Sequence, residues 1–453
     1  MSNPWIVGDI FADQQALDTE WRQCQDEGRD LSSVADEFER LRAPGLPFEK
    51  YLRDAEALLD RTIALPTLRG HAYDEPSDLA GIRAARPAHP PVLPAPPPID
   101  DAVRDKIHGA WLGRCCGCLL GKPIECWLSD RIWPMLQATN NWPLERYIEG
   151  NVAEEIRKRF DMHPGWWGDQ VECMPEDDDT NYTMIALEIM KAQGRDFTSH
   201  DIARFWLQNL PLEHTFTAER VAYRNLAMMI QPPHTATFRN PYREWIGAQI
   251  RADFYGYAAP GRPEIAAEWA WRDASLTHVK NGIYGAMWVA AMLAAAAVVD
   301  DIETIIDAGL AQIPARCRLT EAIHDVRTWH DEGIAYDVAL ERIHQRWDEK
   351  VKHHWCHTIS NAQIVVIGLL WGNGELGPTI CRAVQPCFDT DCNGATTGSI
   401  IGMIAGAAKL PAEPWTARLN DTLCTGIAGQ HKVRISDLAE QSFQLVERLW
   451  PRD

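Results

Sequence analysis

Two stretches decide how this chain folds: His108–Glu125, HGAWLGRCCGCLLGKPIE, and Asn393–Ala407, NGATTGSIIGMIAGA. Glycine returns every fourth residue in both, as Gly109, Gly113, Gly117 and Gly121, then as Gly394, Gly398, Gly402 and Gly406. A spacing of four places each series on one stripe of a helix. Each helical glycine costs about 1 kcal/mol relative to alanine, so four cost roughly 4 kcal/mol unless close backbone approach offsets the loss. The spacing therefore predicts two central helices with smooth faces, against which neighbouring helices, or each other, approach closely. The alternative is that the glycines break both segments into turns.

Outward from these stretches the text is helical. Ile283–Val299, Asn361–Leu370 and Ile435–Leu449 carry apolar residues at helical spacing, with few alternating β-branched runs. The fold class expected is all-α. Nearer the N-terminus, polar helices are expected at Ala12–Gln25, Leu31–Leu41 and Phe48–Ala64. The proline-rich run Pro87–Pro98 reads as an extended connector, because proline lacks the amide donor and fixes its own φ. The expected organisation is a helical extension over residues 1–86, a linker over 87–99 and a main domain over 100–453. The Trp-rich stretch Asn140–Glu176 reads as a long loop insertion outside the core and a candidate wall facing substrate.

The chain has 453 residues, with Lys+Arg 44 against Asp+Glu 64 and a formal charge of -20. That excess argues against sequence-independent nucleic-acid binding or anionic membranes, since both call for a basic face. The apolar run Ala286–Val299 is shorter than the roughly 20 residues that cross a bilayer and reads as a buried helix. The N-terminus lacks the pattern of a secretory signal, so a cytoplasmic location is expected. The 12 cysteines are too sparse for a disulfide scaffold and are expected reduced. Neither Cys115-Cys116-Gly117-Cys118 nor His353-His354-Trp355-Cys356-His357 has the spacing of a structural metal site.

Two acidic clusters lead directly into helical text: Glu176-Asp177-Asp178-Asp179-Thr180, and Asp389-Thr390-Asp391-Cys392. Either alone reads as an N-cap with carboxylates favoured by the helix dipole. Together they place hard oxygen donors at a density that repels itself without cations, and magnesium or manganese suits such all-oxygen sites.

At these residues the sequence resembles the ADP-ribosylglycohydrolase family. Gly109–Glu125 is similar to the family's opening glycine-rich helix ending in Gly-x-Pro-[Val/Ile]-Glu. Asp178-Asp179-Thr180 resembles its Asp-Asp-Thr motif, and Asp389-Thr390-Asp391 its Asp-Thr-Asp motif. Gly247-Ala248-Gln249-Ile250-Arg251 is similar to its glycine loop ending in Arg, and Asp273–His278 to its Asp-Ala-x-x-Thr-His segment. The match covers about residues 105 to 445. Three positions depart from the usual pattern: Asp177 stands where the family has Thr or Ser, Cys392 where it has Thr, and Cys118 where Asp is frequent.

The resemblance implies an all-α orthogonal bundle with Mg²⁺ or Mn²⁺, two ions in all, and hydrolysis at the anomeric carbon of a ribose. The implied metal ligands are Asp177, Asp178, Asp179, Asp389, Asp391 and Cys392. The implied catalytic residues are Glu125, Asp179 and Asp391, and the implied substrate contacts are Gly247, Ala248, Arg251 and His278. The implied partner is an ADP-ribosylated protein or small ribosyl substrate. Another N- or O-riboside, or an inactive ADP-ribose-binding module, are the other readings. His278 and Arg251 also have structural readings, as a buried histidine and a salt-bridge arginine, and the tryptophans of the long loop also read as packing.

Overall fold

The structure is a computed structural model and describes residues 14–43, 45–163 and 165–451. Its element order is helical almost throughout, as expected. The β-structure beyond isolated bridges, among the described residues, is one antiparallel hairpin, Thr422–Cys424 with Lys432–Arg434.

The first glycine helix runs Asp101–Gly121 and the second Thr390–Ala405. They pack against each other antiparallel, glycine on glycine. A Cβ placed on Gly109 would strike the carbonyl of Gly402, on Gly113 that of Gly398, and on Gly117 that of Gly394. The helical reading thus holds over the turn reading, and the cost of the glycines is offset by backbone contact that no side chain permits. Antiparallel packing brings the end of the first helix to the start of the second, where the Thr390 hydroxyl donates to the Gly121 carbonyl at 3.0 Å. The structure thereby joins Glu125 and the Asp389-Thr390-Asp391 motif, which lie far apart in sequence.

Around this pair lie Lys280–Ala296, buried on all sides, Thr358–Trp371, Leu376–Val384 and the C-terminal helix Ile435–Leu449. The long loop departs from expectation. Although mostly irregular, it sends Leu144, Tyr147, Ile148, Trp167 and Met174 into the main core, while Trp142 and Trp166 remain exposed. Burial of large apolar side chains outweighs the polar, turn-rich text around them.

At the N-terminus, helices occupy Gln14–Asp26, Ala35–Arg42 and Phe48–Thr62; Ala12 of the first expected helix lies outside the described residues. Leu17, Phe38, Leu41, Ala55 and Leu58 form a small core of their own. A further helix, Leu79–Ala85, is capped by the Asp78 side chain. Polar contacts bind the segment to the rest of the chain: Arg243 meets Glu20 and Glu27 at 2.6 and 2.7 Å, and Arg318 meets Glu75 at 2.7 Å. Residues 88–98 adopt no regular secondary structure.

Candidate metal centre

The two acidic clusters meet. The first sits at the start of the helix Asp178–Gln193, whose N-cap Asp177 accepts the Asp179 amide at 2.9 Å. The second opens the second glycine helix. Ligand-capable atoms of Cys118, Asp177, Asp179 and Asp391 all lie within 4.8 Å of one another, and so do those of Asp389, Asp391 and Cys392. Asp391 belongs to both groups, so the two sets are contiguous. Asp178 is in neither, but its carboxyl is raised well above the usual range by burial, then by Asp177 and Asp391.

A stripe on the first glycine helix, not read as functional from sequence, organises these carboxylates. Arg114 and Cys118 on the helix, and Lys122 just past its end, recur at the same four-residue spacing as the glycines and meet the start of the Asp178–Gln193 helix. The Arg114 guanidinium is fully buried between Asp179, at 3.0 Å, and Asp253, at 2.8 Å, and also donates to the Asp179 and Ile250 carbonyls. Lys122 donates to Asp177 at 2.6 Å. The spacing of four was the available signal, and the glycines interleaved with it drew the reading to packing.

The electrostatics leave charge uncompensated. Burial raises Asp179 and Asp389 well above ordinary values, with added repulsion from Asp177 and Asp391 on the first and from Asp391 and Glu125 on the second. Burial also raises Asp391, to about 6, with Asp177 adding to the rise and Lys122 opposing it. Glu125, exposed at the rim, is raised well above its usual value first of all by the charge of Asp391. Asp179 Oδ2 and Asp391 Oδ1 are buried without a hydrogen-bond partner. Unpartnered buried carboxylate oxygens of this kind fit a cation. Burial raises the Cys118 and Cys392 thiols well above their ordinary value, and sulfur is a soft donor beside these hard carboxylates.

The expected substrate contacts lie beside the cluster: Arg114 donates to the Ile250 carbonyl as well as to Asp179, and the charge of Glu219 adds to the rise of Asp178. Arg251 is buried and paired with Asp273 at 2.5 Å and with Glu219, and it donates to Thr277 at 2.6 Å. That arrangement is the salt-bridge alternative for Arg251. The Glu219 carboxylate lies directly over Gly247, where a Cβ would collide with both of its oxygens, and burial raises it to about 7. His278 is buried, with Nδ1 2.6 Å from the Thr277 hydroxyl, and burial lowers it well below the usual histidine value. Ala248 is buried in the main core.

The histidine cluster has a different role. His353 and His357 bring their Nε2 atoms to 2.8 and 3.9 Å from Asp26. His353 Nδ1 accepts from the Trp245 indole at 3.0 Å, and His357 Nδ1 accepts from the Ile359 amide at 3.1 Å. The indole offers hydrogen alone, so in the neutral His353 ring the proton sits on Nε2, which points N–H rather than a lone pair at the Asp26 carboxylate. This tautomer suits a hydrogen-bonded joint with the N-terminal segment and not a metal ligand.

Among the described residues no helix is long and apolar enough to cross a membrane. The family model for ADP-ribosylglycohydrolase matches residues 99–452. A solved structure described as "ADP-ribosylglycohydrolase-related protein complex" shares 16% identity and a TM-score of 0.45, over 78% of this chain and 100% of that one. No curated protein matches the chain. With a match that spans the paired glycine helices and both acidic clusters, the chain belongs to the ADP-ribosylglycohydrolase family.

Proposed function

We propose that this chain is a divalent-cation-dependent hydrolase that cleaves a glycosidic bond at the anomeric carbon of a ribose. The observation that carries the reading is the pair of unpartnered, buried carboxylate oxygens on Asp179 and Asp391 inside one cluster of oxygen donors. Asp177, Asp178, Asp179, Asp389 and Asp391 would hold one or two ions. Mg²⁺ or Mn²⁺ in that position supplies Lewis acidity toward ribose hydroxyls and lowers the pKa of water.

The chain's own groups set the geometry. Arg114 fixes Asp179 by one carboxylate oxygen and leaves the other free. Lys122 and the helix cap together fix Asp177. Glu125, exposed at the rim beside Asp391, would meet the ribose or the leaving group. Carboxylates around the anomeric centre favour the positive charge that develops there in an oxocarbenium-like transition state.

ADP-ribosyl substrates are the class the family implies. A second reading, a riboside without a diphosphate, draws support from Glu219. Its carboxylate covers Gly247 and occupies Arg251, so neither this backbone nor this guanidinium is open to a pyrophosphate. The test combines calorimetric titration of Mg²⁺ and Mn²⁺ with mass-spectrometric product analysis on ADP-ribosyl-arginine, ADP-ribosyl-serine, an ADP-ribose ester and simple nucleosides. The expected result is turnover that chelator abolishes, with Asp391→Asn losing ion binding. Equal ion binding by Asp391→Asn and the parent overturns the site. ADP-ribose binding without any cleavage in the presence of the ions points instead to a binding module.

A further inference from the structure

We propose that Cys173 and Cys424 are a redox modification site, closing reversibly to a disulfide that clamps the segment entering the Asp177–Asp179 cluster. Their Sγ atoms lie 3.6 Å apart although 251 residues separate them in sequence. Closure to a disulfide requires the sulfurs to approach to about 2.0 Å.

The backbone already holds the two segments side by side, with Met174 opposite Leu423. The Met174 amide donates to the Thr422 carbonyl and the Cys424 amide to the Met174 carbonyl, each at 2.9 Å, so this segment lies alongside the hairpin strand. Both cysteines are half-buried, whereas Cys115, Cys116, Cys118 and Cys392 are buried near the glycine helices. The pair therefore combines contact between thiols with access to a small oxidant.

The position gives the bond a consequence. Cys173 precedes Asp177 by one short stretch containing Glu176, which accepts from Asn181 at 2.7 Å and lies 2.9 Å from His214 Nδ1. Asn181, in the first turn of the aspartate helix, accepts the Gly426 amide at 3.0 Å, just beyond Cys424. Three hydrogen bonds, two at Met174 and one at Asn181, already join this segment to the hairpin region, and a disulfide adds a covalent tie beside them.

With hydrogen peroxide as oxidant the step balances. One thiolate attacks the peroxide oxygen, forming a sulfenic acid and releasing hydroxide. The second thiolate then attacks that sulfur, forming the S–S bond and releasing a second hydroxide, and the two thiol protons convert both hydroxides to water. Burial and the neighbouring Cys424 push Cys173 up to about 11, so little thiolate exists near neutrality. A dithiol reductant reverses the bond.

The full-length reduced protein is exposed to hydrogen peroxide, its remaining thiols are alkylated, and it is digested without reductant for mass spectrometry. The expected product is a peptide pair joined at Cys173 and Cys424, about 2 Da lighter than the two thiol peptides and absent after dithiothreitol. Its yield at fixed time rises with pH between 7 and 10. Amide exchange over residues 170–177 slows in the oxidised protein, and Cys173→Ser shows neither change while retaining its Mg²⁺ or Mn²⁺ binding when reduced. Recovery of Cys173 and Cys424 as alkylated thiols, at an exposure that oxidises the exposed Cys126, overturns the proposal. A joined peptide with unchanged exchange overturns the clamp. Neither outcome depends on whether the protein cleaves a riboside.

Discussion

Arg114 shows how one side chain supports a site without lying in its chemistry. Its guanidinium is fully buried, and its donors are spread over Asp179, Asp253 and two carbonyls. Removing one partner of a buried ion pair leaves the other charges without compensation and costs about 3–5 kcal/mol. Arg114→Met should therefore lower the unfolding free energy in urea by that amount. Arg114→Lys, which keeps the charge but not the planar fork, should fall between Met and the parent. A loss below about 1 kcal/mol for Arg114→Met would show that Asp179 and Asp253 are held by other means. Lys122 differs from Arg114 in being half-buried where Arg114 is wholly buried.

Between elements, the antiparallel glycine helices do the positioning. Their contact is backbone on backbone, so a methyl group at Gly117 has nowhere to go except into the Gly394 carbonyl. Overpacking of this kind costs about 1–3 kcal/mol, and the rigid backbone neighbour places Gly117→Ala at the upper end. Because the same contact sets Gly121 against Thr390 and Asp391, the variant should also weaken Mg²⁺ or Mn²⁺ binding in calorimetry. Gly165→Ala, at an exposed position with ordinary contacts, serves as the control and should change stability by less than about 0.5 kcal/mol. Equal behaviour of the two variants would mean that the helices can separate at little cost.

For the molecule as a whole, the joint between the N-terminal segment and the main body should lose stability in acid. Burial pushes His353 down to about 4 from the ordinary 6.5, although Asp26 pulls the other way, and His357 and His354 add to the depression. Between these values the unfolded chain binds the proton and the folded chain does not, so stability rises with pH across that window. Protonating Nδ1 would set it against the Trp245 indole N–H, donor against donor. A difference of about 2.5 pH units corresponds to about 3 kcal/mol, present above pH 6.5 and lost as pH falls toward 4. Denaturant unfolding of the parent against His353→Gln across pH 4 to 7 should show a steeper fall for the parent, and parallel curves would remove His353 as the cause. Asp26 is lowered by its histidine partners, so its contribution weakens in the same acidic direction.

Periodicity along the chain sufficed for the all-α class, the two glycine helices and the acidic helix starts, because spacing of three to four and capping chemistry are local properties of consecutive residues. The C-terminal helix Ile435–Leu449 coincides with its expected span for that reason. Which surfaces meet is not local. The pairing of Gly117 with Gly394, the convergence of Asp179 on Asp391, the insertion of Arg114 beneath Asp179 and the burial of Tyr147 and Trp167 from an irregular loop all join residues remote in sequence. So does the placement of Glu219 over Gly247. Side-chain chemistry along the sequence determined what each residue can do; packing in three dimensions decided which partner each one has, because burial and charge compensation are summed over neighbours that only the folded chain supplies.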